Sequence, residues 1–199
     1  MLTFLKIERR SNMLVTQFRN DYPAEIAGYA AGWADGSSSV APFVSGGAGV
    51  AAGGTFQIQT QLGRDPEAPV QEPRILCVVF KDRTGDGDAV KMEDLNQMWA
   101  GRVAARAVFL PELRAITAMP ESEIPDAVER LTAELQAEFF HYDPANPTVS
   151  TEFVSGVHLE RGLVRSVLME DRRRFLSLKD GEVRFKQALI HLMDTIECQ

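Results

Sequence analysis

The residues most able to do chemistry lie in one stretch, Asp82-Arg-Thr-Gly-Asp86-Gly-Asp88-Ala-Val-Lys-Met-Glu93. Oxygen-bearing side chains at its first, third, fifth and twelfth places, with Gly87 at the sixth, follow the spacing of a calcium loop. Asp82, Thr84, Asp86, the main-chain carbonyl of Asp88 and a bidentate Glu93 could together supply most of the hard oxygens that calcium requires. Two features run against this. The eighth place, usually a branched apolar residue, is Ala89, and the run Arg74 to Lys81 that enters the loop reads as a strand, not a helix. The competing expectation is a polar turn between strand and helix, with Asp86 or Asp88 capping the helix that follows.

A second set of candidates is built on histidine. His141 with Asp143, and His158 with Glu160, are two histidine–acid pairs. If the fold brought them together, they could form an acid/base or metal cluster, the basis of a small enzyme. His158 lies in a strand-like pattern and His191 on the polar side of a helical one, which favours ordinary surface histidines. A cysteine nucleophile requires an exposed, electropositive setting, and Cys77 sits in the most apolar run of the chain. No Gly-x-Ser-x-Gly elbow and no Gly-x-x-x-x-Gly-Lys-Ser/Thr loop occurs. Gly47-Ala-Gly49-Val-Ala-Ala52 imitates a dinucleotide turn, but a strand follows it where the pyrophosphate-binding helix should be.

The third candidate is cationic. Arg172, Arg173 and Arg174 could clamp a carboxylate or a phosphate, or form a solvated turn. They belong to a segregated charge pattern. Glu121 to Asp143 holds seven acids and one base, and Glu160 to Lys186 holds eight bases and five acids. Such asymmetry can steer a charged partner or support self-association, although two solvated faces would produce it too. Between Gly36 and Gly63 no residue is charged, so Phe43 and Val44 join the arginines as partner-binding candidates.

The elements that must position these residues follow from periodicity. Residues 2–8 and 13–18 read as a hairpin, and Ile75 to Phe80 as a strand covered on both faces. Phe56, Ile58 and Leu62 alternate with glutamines in a further strand. A helix is expected from Pro23 to Trp33, where Ile26, Tyr29, Ala30 and Trp33 keep the helical period. Another is expected from Val90 to Phe109, with Met92, Leu95, Trp99, Val103 and Ala107 inward and Pro111 limiting its length. A short strand is expected at 115–119. Ile124, Val128, Leu131, Leu135 and Phe139 mark a third helix, and Phe185, Leu189, Leu192, Met193 and Ile196 a closing one. Three strand patterns near 151–159, 163–169 and 174–179 suggest a meander, and the Gly/Ser-rich tract 36–54 suggests a flexible loop.

At 199 residues, with 45% hydrophobic and 25% charged residues, the chain matches a globular composition. Residues 1–199 are expected to form a single α+β domain, a mostly antiparallel sheet of six to eight strands with three or four helices packed on it. A net charge of −7 disfavours general nucleic-acid binding. Two cysteines, no run long enough to span a membrane and no secretory order in Met1 to Lys6 point to the cytoplasm. Three functions remain: a non-catalytic interaction module that binds another protein or itself (adaptor, regulatory subunit or inhibitor), a small His/carboxylate enzyme, and a calcium-binding module. The first is the leading expectation, with no cofactor required.

Overall fold

The computed structural model describes residues 1–34, 36–42, 49–61, 72–136 and 149–197. The chain divides into two compact units, Met1–Asn96 and Gln97–Gln199. The α+β class is observed. In place of one sheet, however, the described residues form two antiparallel sheets, of three and four strands, with four α-helices.

In the first unit, β1 (Leu2–Arg10), β2 (Met13–Asn20) and β5 (Thr55–Gln61) make one sheet in the order β1-β2-β5. The second sheet runs β4-β3-β6-β7, from β3 (Ile26–Gly32), β4 (Ser38–Pro42), β6 (Arg74–Phe80) and β7 (Gly85–Gly87). Phe18, Phe56 and Ile58 of the first sheet pack on Ile26, Tyr29, Ala31 and Val78 of the second. The other face of the second sheet carries Ala30, Cys77 and Val79, which are covered by Leu95 and Met92 at the start of α1. Every residue of β3 is therefore buried, and the run Ile75 to Phe80 is apolar on both faces for the same reason.

The helix expected from Pro23 to Trp33 is instead strand β3. Its apparent helical period has a physical origin. A register shift between Ile26 and Gly28 places Ile26 and Tyr29, three residues apart, against the same core. The segment before it is a turn held by buried Asn20, whose Nδ2 donates to the carbonyls of Ala24 (2.9 Å) and Val50 (2.8 Å) and whose Oδ1 accepts from the Tyr22 amide. Within the Gly/Ser-rich tract, Ser38–Pro42 is a strand rather than a loop, while residues 43–48, and with them Phe43 and Val44, lie outside the described residues.

The second unit is helical. Helix α1 (Ala89–Thr117) starts in the first unit and contains Pro111. Ala107, whose carbonyl loses its partner to Pro111, is exposed, and the helix runs on to Thr117, into the segment expected as a strand at 115–119. After a 3₁₀ turn at Glu121–Glu123 come α2 (Ile124–Gln136), α3 (Thr151–Phe175) and α4 (Gly181–Glu197). The meander expected over 151–179 is the single helix α3, started by Ser150, whose side chain accepts from the Phe153 amide. Phe109, Leu113, Ile124, Val128, Leu131, Val157, Leu168, Phe185 and Leu189 form its core. The inner face of α1 here carries Arg102, Ala105, Arg106 and Phe109, while Val103 and Ala107, expected inside, are exposed.

Helices α1 and α3 approach closely at two glycines. A Cβ on Gly101 would overlap the Phe153 carbonyl oxygen, and one on Gly156 would overlap that of Met98. Beside this crossing, Glu160 Oε2 accepts from Arg102 Nε at 2.6 Å and Glu160 Oε1 accepts from Arg106 Nε at 2.7 Å. All three residues are buried, with 2%, 6% and 3% exposure for Arg102, Arg106 and Glu160.

Candidate functional site

In the acidic loop, the carboxylates have partners within the protein. Asp82 Oδ1 accepts from the Thr84 amide (3.0 Å) and hydroxyl (2.6 Å), and these bonds, the hydroxyl first, hold its carboxyl below its ordinary range. Asp86 Oδ2 accepts from the Tyr22 hydroxyl at 2.5 Å. Burial first, and then this bond, push the Tyr22 phenol up to about 12. Asp88 Oδ1 accepts from the amides of Val90 (2.9 Å) and Lys91 (3.1 Å), so Asp88 caps α1 as the turn expectation requires. Gly87, at φ 113°, lies where a Cβ would strike the Leu76 carbonyl. Glu93 is exposed on α1. Among the described residues, no group of three or more His, Cys, Asp or Glu side chains is arranged to hold a metal ion.

His158 lies exposed on α3 and His191 exposed on α4. His141 and Asp143 lie outside the described residues. His191 instead lines a groove between α3 and α4 with Asp171, Arg174 and Arg184. Burial pushes the Asp171 carboxyl up, partly offset by Arg174. Cys77 is a buried free thiol, and burial pushes it up to about 11, far from a thiolate nucleophile at neutral pH.

The arginine triplet sits in the last turn of α3, not in a turn between strands. There its positive charge complements the helix dipole. Helical geometry splits it. Arg172 and Arg173 face a groove of about 570 Å³ between α2 and α3, and Arg174 faces the α3–α4 groove. Arg165, two turns earlier on α3, lines the same groove as Arg172 and Arg173, together with Met169 and Leu176. Arg172 Nη2 donates to Glu129 at 2.8 Å and Arg165 Nη2 to Gln136 Oε1 at 2.8 Å. The Nε atoms of both arginines are buried and have no hydrogen-bond acceptor among the described residues. The two oppositely charged segments thus meet each other, through Arg172–Glu129 and through Lys186–Glu121 at 3.3 Å.

One further site escaped the sequence reading. A cavity of about 200 Å³ between α1, α2 and α3 is lined by Val108, Phe109, Leu131, Leu135 and Val157, with Glu112, Glu134 and Arg161 among its polar residues. Partial burial first, and then the charge and hydrogen bond of Glu134, push the Glu112 carboxyl above the usual carboxylate range. Arg161, 6% exposed, donates from Nη2 to the Glu134 carbonyl at 2.9 Å. Nothing in the spacing of Glu112, Glu134 and Arg161 could have joined them, because each comes from a different helix.

No helix among the described residues is long and apolar enough to cross a membrane. Comparison with known proteins finds no matching family model, no matching curated protein and no matching solved structure.

Proposed function

We propose that this chain is a non-catalytic, cytoplasmic protein-interaction module, an adaptor, regulatory subunit or inhibitor, that takes an acidic segment of another protein into the α2–α3 groove. One observation carries the reading: Arg165, Arg172 and Arg173 line a single groove, and the Nε–H groups of Arg165 and Arg172 lack acceptors among the described residues. A buried donor without a partner is costly, and a carboxylate that reaches it forms a charge-assisted bond. The Arg172–Glu129 pair does not oppose this. Its side chains are 38% and 66% exposed, and exposed pairs contribute about 0–1 kcal/mol, so a partner's carboxylate can displace Glu129. Met169, 48% exposed, adds an apolar contact in the same groove.

The spacing specifies the partner further. Seven residues of helix separate Arg165 from Arg172, about 10 Å along the axis. An extended segment advances about 3.3 Å per residue, so acids three residues apart match the two arginines. A free thiol at Cys77 accords with a reducing compartment.

The test is fluorescence anisotropy with a labelled nonapeptide of repeated Glu-Leu-Ser triplets, against a Gln-Leu-Ser control. The reading expects saturable binding of the acidic peptide only, weakened at least tenfold in R165A/R172A/R173A with its helical circular dichroism unchanged. Equal binding by the variant, or no binding at millimolar protein, would overturn it.

A further inference from the structure

The α2–α3 groove already holds an internal counterpart of the acidic segment proposed to bind there. Arg165 and Arg172 lie seven residues apart on α3, and Glu129 and Gln136 lie seven residues apart on α2. Each arginine meets one of them. Arg172 Nη2 donates to Glu129 Oε2 at 2.8 Å, and Arg165 Nη2 donates to Gln136 Oε1 at 2.8 Å. Seven residues advance either helix by about 10 Å, so two such contacts keep register between antiparallel helices. Thr132 and Ala133, which line the groove between them on α2, carry no charge.

The two contacts differ in one respect. Gln136 offers Arg165 a neutral oxygen, whereas Glu129 offers Arg172 a full negative charge. Neither satisfies its arginine completely, because both Nε–H groups are buried without an acceptor among the described residues. A partner's carboxylate at Arg165 exchanges a neutral acceptor for a charged one, and charge-assisted bonds are roughly twice as strong as neutral ones. At Arg172 the same carboxylate replaces another carboxylate and also meets the negative charge of Glu129. The gain there is smaller. Glu129 can still be displaced, since its side chain is 66% exposed and that of Arg172 38% exposed.

We propose that Glu129 is a built-in competitor that sets the affinity and the anchoring point of an acidic partner, a role that rests on the proposed binding of such a segment in this groove. The partner's carboxylate is anchored at Arg165, and Arg172 is reached only by displacing Glu129. A neutral residue at position 129 opens both arginines to the partner. A second acid at position 136 closes both. An exposed ion pair of this kind corresponds to about two- to fivefold in affinity, so Glu129 tunes binding without blocking it.

The experiment titrates the labelled Glu-Leu-Ser nonapeptide with the full chain by fluorescence anisotropy at one fixed salt concentration. E129Q is expected to tighten binding about two- to fivefold. D126N removes the same charge from an exposed position one turn earlier on α2, outside the groove lining. It should tighten binding less, which separates competition at Arg172 from the change in net charge. Q136E, which sets a carboxylate opposite Arg165, should weaken binding about twofold or more. R165A should weaken it too, and E129Q/R165A should recover part of that loss through the freed Arg172. None of these positions is buried, so helical circular dichroism should match the parent chain in every variant. Peptide binding that E129Q leaves unchanged, or that D126N tightens equally, would overturn the competitor while leaving the groove its acidic partner. Failure of both the parent chain and E129Q to bind at millimolar protein would overturn the two together.

Discussion

Replacing Glu160 by Gln tests the physical account of the helical unit most severely. The side chain keeps its shape and one acceptor oxygen, but the charge facing Arg102 Nε at 2.6 Å and Arg106 Nε at 2.7 Å is gone. The side chains of all three residues are almost fully enclosed, at 3%, 8% and 3% exposure for Arg102, Arg106 and Glu160, so water cannot replace the lost carboxylate. Breaking a buried ion pair by removing one partner costs about 3–5 kcal/mol. For a chain of this size each kcal/mol shifts the melting temperature by about 2–4 °C, which predicts a fall of roughly 6–20 °C. Thermal and urea unfolding followed by circular dichroism at the helical band would measure it. The companion variant, R102M/R106L/E160L, removes all three charges together. It should recover most of the loss, because well-packed apolar residues replace a buried ionic cluster with little or no cost. A loss below about 1 kcal/mol for E160Q, the value of an exposed pair, would contradict an enclosed ion pair at this position.

Three other outcomes follow from particular contacts. Gly101→Ala and Gly156→Ala should each destabilise by about 1–3 kcal/mol, as overpacking does, because the added Cβ meets the backbone of the facing helix. Gly162→Ala, with nothing within 4 Å of the added Cβ, should stabilise α3 by about 0.5–1 kcal/mol; urea midpoints compare the three. The Tyr22 phenol is held protonated up to about 12 in the folded protein. Its stabilising contribution is therefore complete below the ordinary tyrosine range near 10 and lost as pH rises toward 12. Difference titration at 295 nm against Tyr22→Phe should show that late ionisation, and an ordinary value near 10 would contradict the Asp86 contact. Because Asp82, Asp86 and Asp88 already hold the turn and cap α1, 2 mM calcium against chelator should move the melting temperature by less than about 1 °C. A larger rise that D86A/E93A removes would reassign the loop to calcium by linkage.

What the sequence reveals and what it hides divide on one physical point. Strand β5 and helices α2 and α4 bury apolar residues at the period of their own backbone, and each is legible; β1, β2 and β6 are legible as apolar runs bounded by turn residues. Helix α3 is not, because its buried face includes Glu160 and Arg161 beside Val154, Val157, Val164 and Leu168. Two charges inside the stripe and glycines at 156 and 162 make the remaining apolar residues look like short strands separated by turns. Arg102 and Arg106 shift the reading of α1 in the same way, so that Val103 and Ala107 seem to face inward. Strand β3 fails for the opposite reason, since burial on both faces removes alternation and a bulge mimics a helical step. The basic groove is half legible. Arg172 and Arg173 stand out as a cluster, but Arg165 joins them only once α3 is known to be a helix. The carboxylate pair of Glu112 and Glu134 depends wholly on how three helices pack.

The reading of this chain as an interaction module stands or falls at the α2–α3 groove. Resonances of the arginine Nε–H groups, followed by NMR while the Glu-Leu-Ser nonapeptide is added, report on it directly. The account predicts saturable shifts of Arg165 and Arg172, whose Nε–H groups lack acceptors among the described residues, with Arg174, which faces the α3–α4 groove, unmoved. Shifts centred on Arg174 and Arg184, or no shift at any arginine, would contradict it.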